Sequence, residues 1–157
     1  MSSIQAVAMD VDGVLTDGTF WWGPAGEEYK RFSFRDIMGV SLARQAGLKL
    51  ALISGEASPL VDRYAEKLGI PYVYKGCKDK GAALQAFAAL HGLPLAEICF
   101  VGDDVNDLPA LALAGLSACP ADAHPKVKAV ATWILQSGGG QGAVRELVDR
   151  VLENAQP

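Results

Sequence analysis

Two carboxylates, Asp10 and Asp12, stand two residues apart directly after an apolar run, and a second acidic pair, Asp103-Asp104, follows another such run. A single Asp in such a place could be an Asx turn or a helix cap. Two acidic pairs at the ends of apolar runs point further. Clustered carboxylates repel and raise each other's pKa unless a cation sits among them. A hard divalent ion meets that need, and Mg²⁺ favours one or two carboxylates completed by water and a substrate phosphate. Lys80 opens a predicted helix, where the helix dipole disfavours a cation. It is either a solvated surface lysine or a broken local rule of the kind found at functional sites. Ser54-Gly55 precedes another predicted helix. It reads either as an N-cap or as a phosphate cradle of hydroxyl and backbone N–H groups.

The frame that must position these groups follows from the apolar runs. Residues 4–9, 48–53 and 98–101 read as buried strands, ending at Asp10, Ser54-Gly55 and Gly102-Asp103-Asp104. Shorter strands are predicted at 72–74, 116–118 and 131–135. Helices are predicted over 36–46, 57–68, 80–91, 107–114, 125–130 and 143–154, with Gly47, Gly69 and Gly92 as stops. Two β-prone runs flank Gly23-Pro24-Ala25-Gly26 and predict a hairpin insertion over about 18–34. The alternation implies one α/β domain over 1–157, a Rossmann-like parallel sheet with helices on both faces. In such sheets ligands bind beyond the carboxyl ends of the strands, where Asp10, Ser54 and Asp103 all stand. Between Gly13 and Asp36 there is room for a hairpin but not for a cap domain. The glycines at 138–140 and 142 read either as a close backbone approach to a ligand or as a flexible loop.

Composition narrows the function classes. The chain has 157 residues, 50% apolar and 20% charged, with 14 basic and 18 acidic residues for a net charge of −4. That argues against a nucleic-acid binder, which carries a basic surplus. Cys77, Cys99 and Cys119 are odd in number and far apart, which suggests neither a disulfide framework nor a thiolate zinc site. No signal peptide is read after Met1, and no apolar run reaches the ~18 residues of a membrane span. A reducing cytoplasm is the default expectation.

The order and setting of the chemical groups resemble the haloacid dehalogenase superfamily of phosphotransferases. Asp10-x-Asp12-Gly13-Val14 resembles its first motif, Leu52-Ile53-Ser54-Gly55 its second, Lys80 its third and Gly102-Asp103-Asp104-Val105-Asn106-Asp107 its fourth. The stretch from Asp10 to Gly18, the hairpin with Gly26-Glu27, Arg35-Asp36, Ala121 to Pro125 and Gly139 to Glu146 are similar to the 3-deoxy-D-manno-octulosonate 8-phosphate phosphatase family. That group includes nonulosonate 9-phosphate phosphatases. The resemblance implies a capless HAD-like fold, Mg²⁺ dependence and a place in lipopolysaccharide biosynthesis. It also implies a homotetramer in which a neighbouring subunit helps close each active site.

The resemblance implies roles as well. Asp10 attacks phosphorus, and Asp12 protonates the leaving oxygen and then deprotonates water. Asp10, the Asp12 carbonyl and Asp103 hold Mg²⁺, while Ser54, Gly55 and Lys80 bind phosphate oxygens. Asp104 and Asn106 orient Lys80 and the metal waters. Asp107 is left open between a role in the site and a cap of the next helix. An acidic substrate on an acidic chain requires local basic groups. The basic clusters are Lys30-Arg31 with Arg35, and Lys75 and Lys78 with Lys80, though such runs are often solvated faces. Arg145 either binds the sugar carboxylate or pairs on a helix surface. Glu56 after the second motif resembles the nonulosonate branch, whereas residues 121–125 resemble the octulosonate branch. Three function classes stand: a sugar-acid phosphate phosphatase, a non-catalytic assembly domain partnering a cytidylyltransferase, and a receiver domain that stores a phosphoryl group on an aspartate, against which the paired Asp12 favours hydrolysis.

Overall fold

A computed structural model describes residues 3–155. The start at Met1-Ser2, on which the reading of no leader rests, and residues 156–157 of the expected domain lie outside the described residues. Six parallel strands form one sheet: β1 (Ala6–Met9), β4 (Lys49–Ile53), β5 (Tyr72–Tyr74), β6 (Ile98–Val101), β7 (Leu116–Cys119) and β8 (Trp133–Ile134). Their order is β5-β4-β1-β6-β7-β8. The hairpin strands β2 (Trp21–Trp22) and β3 (Glu28–Tyr29) pair antiparallel and apart from that sheet. No helix among the described residues is long and apolar enough to cross a membrane.

The central strand shows why the apolar runs are continuous rather than alternating. Every residue of β1 is buried, because both faces of the sheet are covered. Val7 and Met9 face a layer of three helices, α1 (Phe34–Gln45), α2 (Pro59–Leu68) and α6 (Ala143–Asn154). Ala6 and Ala8 face the opposite layer of α3 (Lys80–His91), α4 (Leu108–Leu113) and α5 (Pro125–Lys128). After β5 the chain crosses to the other side of β1 and continues with β6. The strand order therefore reverses at β1, and the crevice at its carboxyl end is the topological switch point.

The element boundaries depart from expectation in informative places. Helix α2 starts at Pro59 rather than residue 57, because Ser58 accepts the Leu60 N–H at 3.2 Å and proline suits the first turn. Ser54-Gly55 is consequently neither the cap nor the start of that helix, which corrects the helix-terminus reading. The helix expected over 107–114 begins instead as a 3₁₀ turn over Val105–Asp107, closed by a capping box between Asp104 and Asp107. A further 3₁₀ turn at Leu95–Glu97 was not expected.

One long-range contact ties helix α1 to the start of α6. Helix α6 has Gly142 at its N-cap, which offers no side-chain acceptor. Asp36, fully buried on α1, supplies it from a distance: its carboxylate accepts the Gly142 N–H at 3.4 Å and the Arg145 N–H at 3.1 Å. The negative charge also complements the positive end of the α6 dipole. Burial pushes the Asp36 carboxyl upward, and these N–H donors pull it back. Asp36→Ala would leave buried donors without an acceptor, at a cost of about 1–3 kcal/mol. Urea unfolding is expected to show a lower midpoint at unchanged slope.

Candidate active site

The loop after β1 is built to present two carboxylates. Asp10 continues the strand register by donating its N–H to the Val101 carbonyl at 3.0 Å. Its Oδ1 accepts the Val11 N–H at 2.7 Å. Val11, Val14 and Leu15 drop into the core and anchor the turn, while the Thr16 hydroxyl accepts the N–H groups of Gly13 and Gly18. Gly13 is required twice over. Its φ is +86°, and a Cβ there would lie 1.9 Å from Asp103 Oδ2.

Lys80 is fully buried although it opens α3. Its Nζ stands 2.9 Å from Asp10 and 2.7 Å from Asp107. Burial alone would lower its pKa, but the two carboxylates outweigh that and hold it above its ordinary value. Asp79 caps the helix in its place, accepting the Ala82 N–H. The solvated-lysine reading of position 80 is therefore excluded.

Asp107, left open by the sequence, is a structural centre of the site. It makes no side-chain cap for α4. Its Oδ1 holds Lys80, and its Oδ2 accepts the N–H groups of Asp103 and Asp104. The expectation that Asp104 orients Lys80 is corrected accordingly: the Asp104 carboxylate accepts its neighbour's Val105 N–H instead. Asn106 lines the same cleft, with its amide 3.5 Å from where a Gly55 side chain would begin.

Oxygens of Asp10, Asp103 and Asp107 lie within 4.8 Å of one another. Both Asp107 oxygens are taken, so Asp10 and Asp103 remain for a cation. Asp103 Oδ1 is buried with no hydrogen-bond partner, an arrangement that a bound metal would satisfy. Burial chiefly, and then the Asp107 charge, push the Asp103 carboxyl to about 6. Asp10 is raised well above the ordinary carboxylate range, first by burial and then by Asp107, with Lys80 opposing. These oxygens fit a hard divalent ion.

A cleft of about 510 Å³ opens over this cluster. Ser54, Gly55, Glu56, Lys80, Asp103, Asp104 and Asn106 lie in its walls together with Asp10 and Asp12. Ser54 sits at the end of β4 with its Oγ accepting the Glu56 N–H, which leaves its O–H free to donate. The hairpin supplies the remaining wall through Phe20, Trp22, Glu28 and Lys30.

Other expected residues lie elsewhere. Arg145 is engaged by Asp149 at 2.9 and 3.0 Å, which is the helix-surface alternative. Arg35 borders a second, shallower depression with Arg31 and Gln141. Lys75 pairs with Asp62. Gly139 and Gly140 make a close approach to backbone, whereas Gly138 lies beside the Asp122 and Gln141 side chains. A Cβ at Gly139 would sit 2.0 Å from the Gly13 carbonyl oxygen, and Gly140 N–H donates to the Val14 carbonyl.

Comparison with known proteins agrees with this geometry. A family profile for haloacid dehalogenase-like hydrolases matches residues 70–147. Over 151 residues the chain is 36% identical to a 3-deoxy-D-manno-octulosonate 8-phosphate phosphatase of Yersinia pestis, spanning 96% of this chain and 81% of the relative. The crystal structure of the corresponding phosphatase from Moraxella catarrhalis, in complex with magnesium ion, phosphate ion and KDO, matches with a TM-score of 0.93 at 37% identity. That match covers 96% of this chain and 86% of the other. The cobalt-bound form of the Haemophilus influenzae phosphatase matches with a TM-score of 0.93 at 37% identity, covering 96% and 88%.

The raised carboxyls give a signed expectation for the metal-free protein. A folded pKa above the unfolded value means that the fold binds more protons than the unfolded chain. Stability from Asp103 is then present below the ordinary value near 3.8 and lost as pH rises through about 6. Asp103→Asn should stabilise the metal-free chain at pH 7 by about 1–2 kcal/mol and much less at pH 4.5. Thermal unfolding with and without Mg²⁺ checks this: the wild type should gain stability from the ion, and the variant should not.

Proposed function

The chain belongs to the 3-deoxy-D-manno-octulosonate 8-phosphate phosphatase family of haloacid dehalogenase-like hydrolases, and we propose that its substrate is 3-deoxy-D-manno-octulosonate 8-phosphate itself. It is a phosphoric monoester hydrolase. The observation that carries the reading is the convergence, in one cleft, of Asp10 held by buried Lys80 and the partnerless oxygen of Asp103.

In the proposed reaction an Asp10 oxygen forms a bond to phosphorus as the bond from phosphorus to the sugar oxygen breaks. Asp12 gives its proton to that departing oxygen. Water then attacks the aspartyl-phosphate, and Asp12 takes a proton from the water, returning both residues to their starting states. Lys80, the Ser54 hydroxyl and the Gly55 N–H are placed to bind phosphate oxygens. Asp10, the Asp12 carbonyl and Asp103 would hold Mg²⁺, which supplies charge neutralisation between the nucleophile and the phosphate. The three free cysteines suit a reducing compartment, and we place the enzyme in the cytoplasm.

Substrate choice within the family turns on the outer cleft. Glu56 is exposed in its wall, and a carboxylate there supports a nonulosonate 9-phosphate as the second reading. Among the described residues there is no cap domain, and the hairpin alone walls one side of the cleft. The exposed hairpin aromatics Trp21, Trp22 and Tyr29 support a homotetramer in which a neighbour completes that wall. A non-catalytic assembly domain is disfavoured, because burying Lys80 with three crowded carboxylates is costly and would serve no purpose without chemistry.

Phosphate release should be measured on octulosonate 8-phosphate, a nonulosonate 9-phosphate and p-nitrophenyl phosphate, with Mg²⁺ and with EDTA. The expected result is strong preference for octulosonate 8-phosphate, abolished by EDTA and by Asp10→Asn. Preference for the nine-carbon ester would transfer the assignment to the second reading. No release from any ester would reject the proposed substrate.

A further inference from the structure

Lys30 stands in the hairpin and forms part of the cleft wall. The strands around it expose Trp21, Trp22 and Tyr29, yet the Lys30 side chain is only 3% exposed. Its Nζ lies 2.8 Å from Asp12 Oδ1 and 3.0 Å from Oδ2, with Glu28 3.6 Å away. Among the described residues, Lys30 is the one side chain that hydrogen-bonds the Asp12 carboxylate. The contrast with Asp10 is informative. The nucleophile is held by its neighbour's N–H and by Lys80. The loop provides no such grip for Asp12, whose anchor comes from 18 residues further along. Burying an ammonium to pair with a half-buried carboxylate brings little net stability. A two-stranded hairpin is itself marginal and gains nothing from carrying such a group inward.

We propose that Lys30 is the positioning residue of the general acid: it holds the Asp12 carboxyl group at a fixed place in the cleft wall, where it serves the departing oxygen. This rests on the reading of Asp12 given above. The ammonium lies against both Asp12 oxygens, at 2.8 and 3.0 Å, and so fixes the position and plane of the carboxyl group in the cleft wall. The hairpin thereby does more than wall the cleft, since its seating and the aim of the acid are one arrangement.

The test uses esters that lack any sugar group, so that direct contact between Lys30 and a sugar carboxylate does not enter. Values of kcat/KM are measured on p-nitrophenyl, phenyl and a primary alkyl phosphate for wild type, Lys30→Met, Asp12→Asn and the double variant. A p-nitrophenolate leaves without a proton, whereas an alkoxide does not. Lys30→Met is expected to cost about threefold or less on the p-nitrophenyl ester and about 30-fold or more on the alkyl ester. In the Asp12→Asn background the same substitution should add little on any ester. The Mg²⁺-induced thermal shift should survive Lys30→Met, which shows an intact metal site. An equal loss on all three esters, or the same loss in the Asp12→Asn background, would overturn the proposal. Both readings of the sugar substrate can fail while this pattern holds, so the two failures are distinguishable.

Discussion

A single buried ammonium among three carboxylates is the constraint around which the molecule is arranged. Lys80 neutralises part of the charge of Asp10 and Asp107, but Asp103 crowds the same space. One cation cannot satisfy three anions. The remainder is met by protons at low pH and by a metal when one is bound. Asp107 makes this arrangement rigid rather than merely attractive. One of its oxygens fixes the lysine, and the other fixes the backbone of the loop that carries Asp103. Asp10, Lys80 and Asp103 are thus positioned by one network.

That network can exist because of the strand order. β1 lies between β4 and β6, in register with both. The carboxyl ends of three neighbouring strands therefore deliver Asp10, Ser54 and Asp103 to one crevice. Lys80 reaches it from α3, which packs on the alanine face of β1. Small side chains at Ala6, Ala8 and Ala51 line that face of the sheet, and Lys80 brings its buried ammonium to Asp10 and Asp107.

Much of this was legible in the sequence, and for a definite reason. The carboxylates at strand ends announce themselves, since an apolar run closed by Asp and Gly is a local pattern. The hairpin, the six parallel strands and the helices with glycine stops were equally local. What escaped is what depends on distant partners. Asp107 could not be placed from the sequence between a helix cap and the site, because nothing near it in the chain shows that Lys80 will meet it. Lys30 looked like part of a basic run, because its burial against Asp12 depends on how the hairpin folds back. Ser54 was read as preceding a helix directly, and the proline that delays the helix start to residue 59 was the signal available to correct it. The glycines at 138–140 read in sequence as a ligand approach or a flexible loop, and only the tertiary fold shows that Gly139 and Gly140 pack against the loop after β1.

That packing has a kinetic consequence. Asp36 and Gly142, whose contact joins the same region, are 106 residues apart in the chain. Closing so long a loop is entropically costly and belongs late in folding. Asp10 is synthesised well before the backbone that braces its loop, since Gly139 and Gly140 come far later in the chain. A nascent chain still tethered to the ribosome therefore carries Asp10 without its brace. The cleft should become complete only when α6 docks, rather than gradually as the sheet assembles.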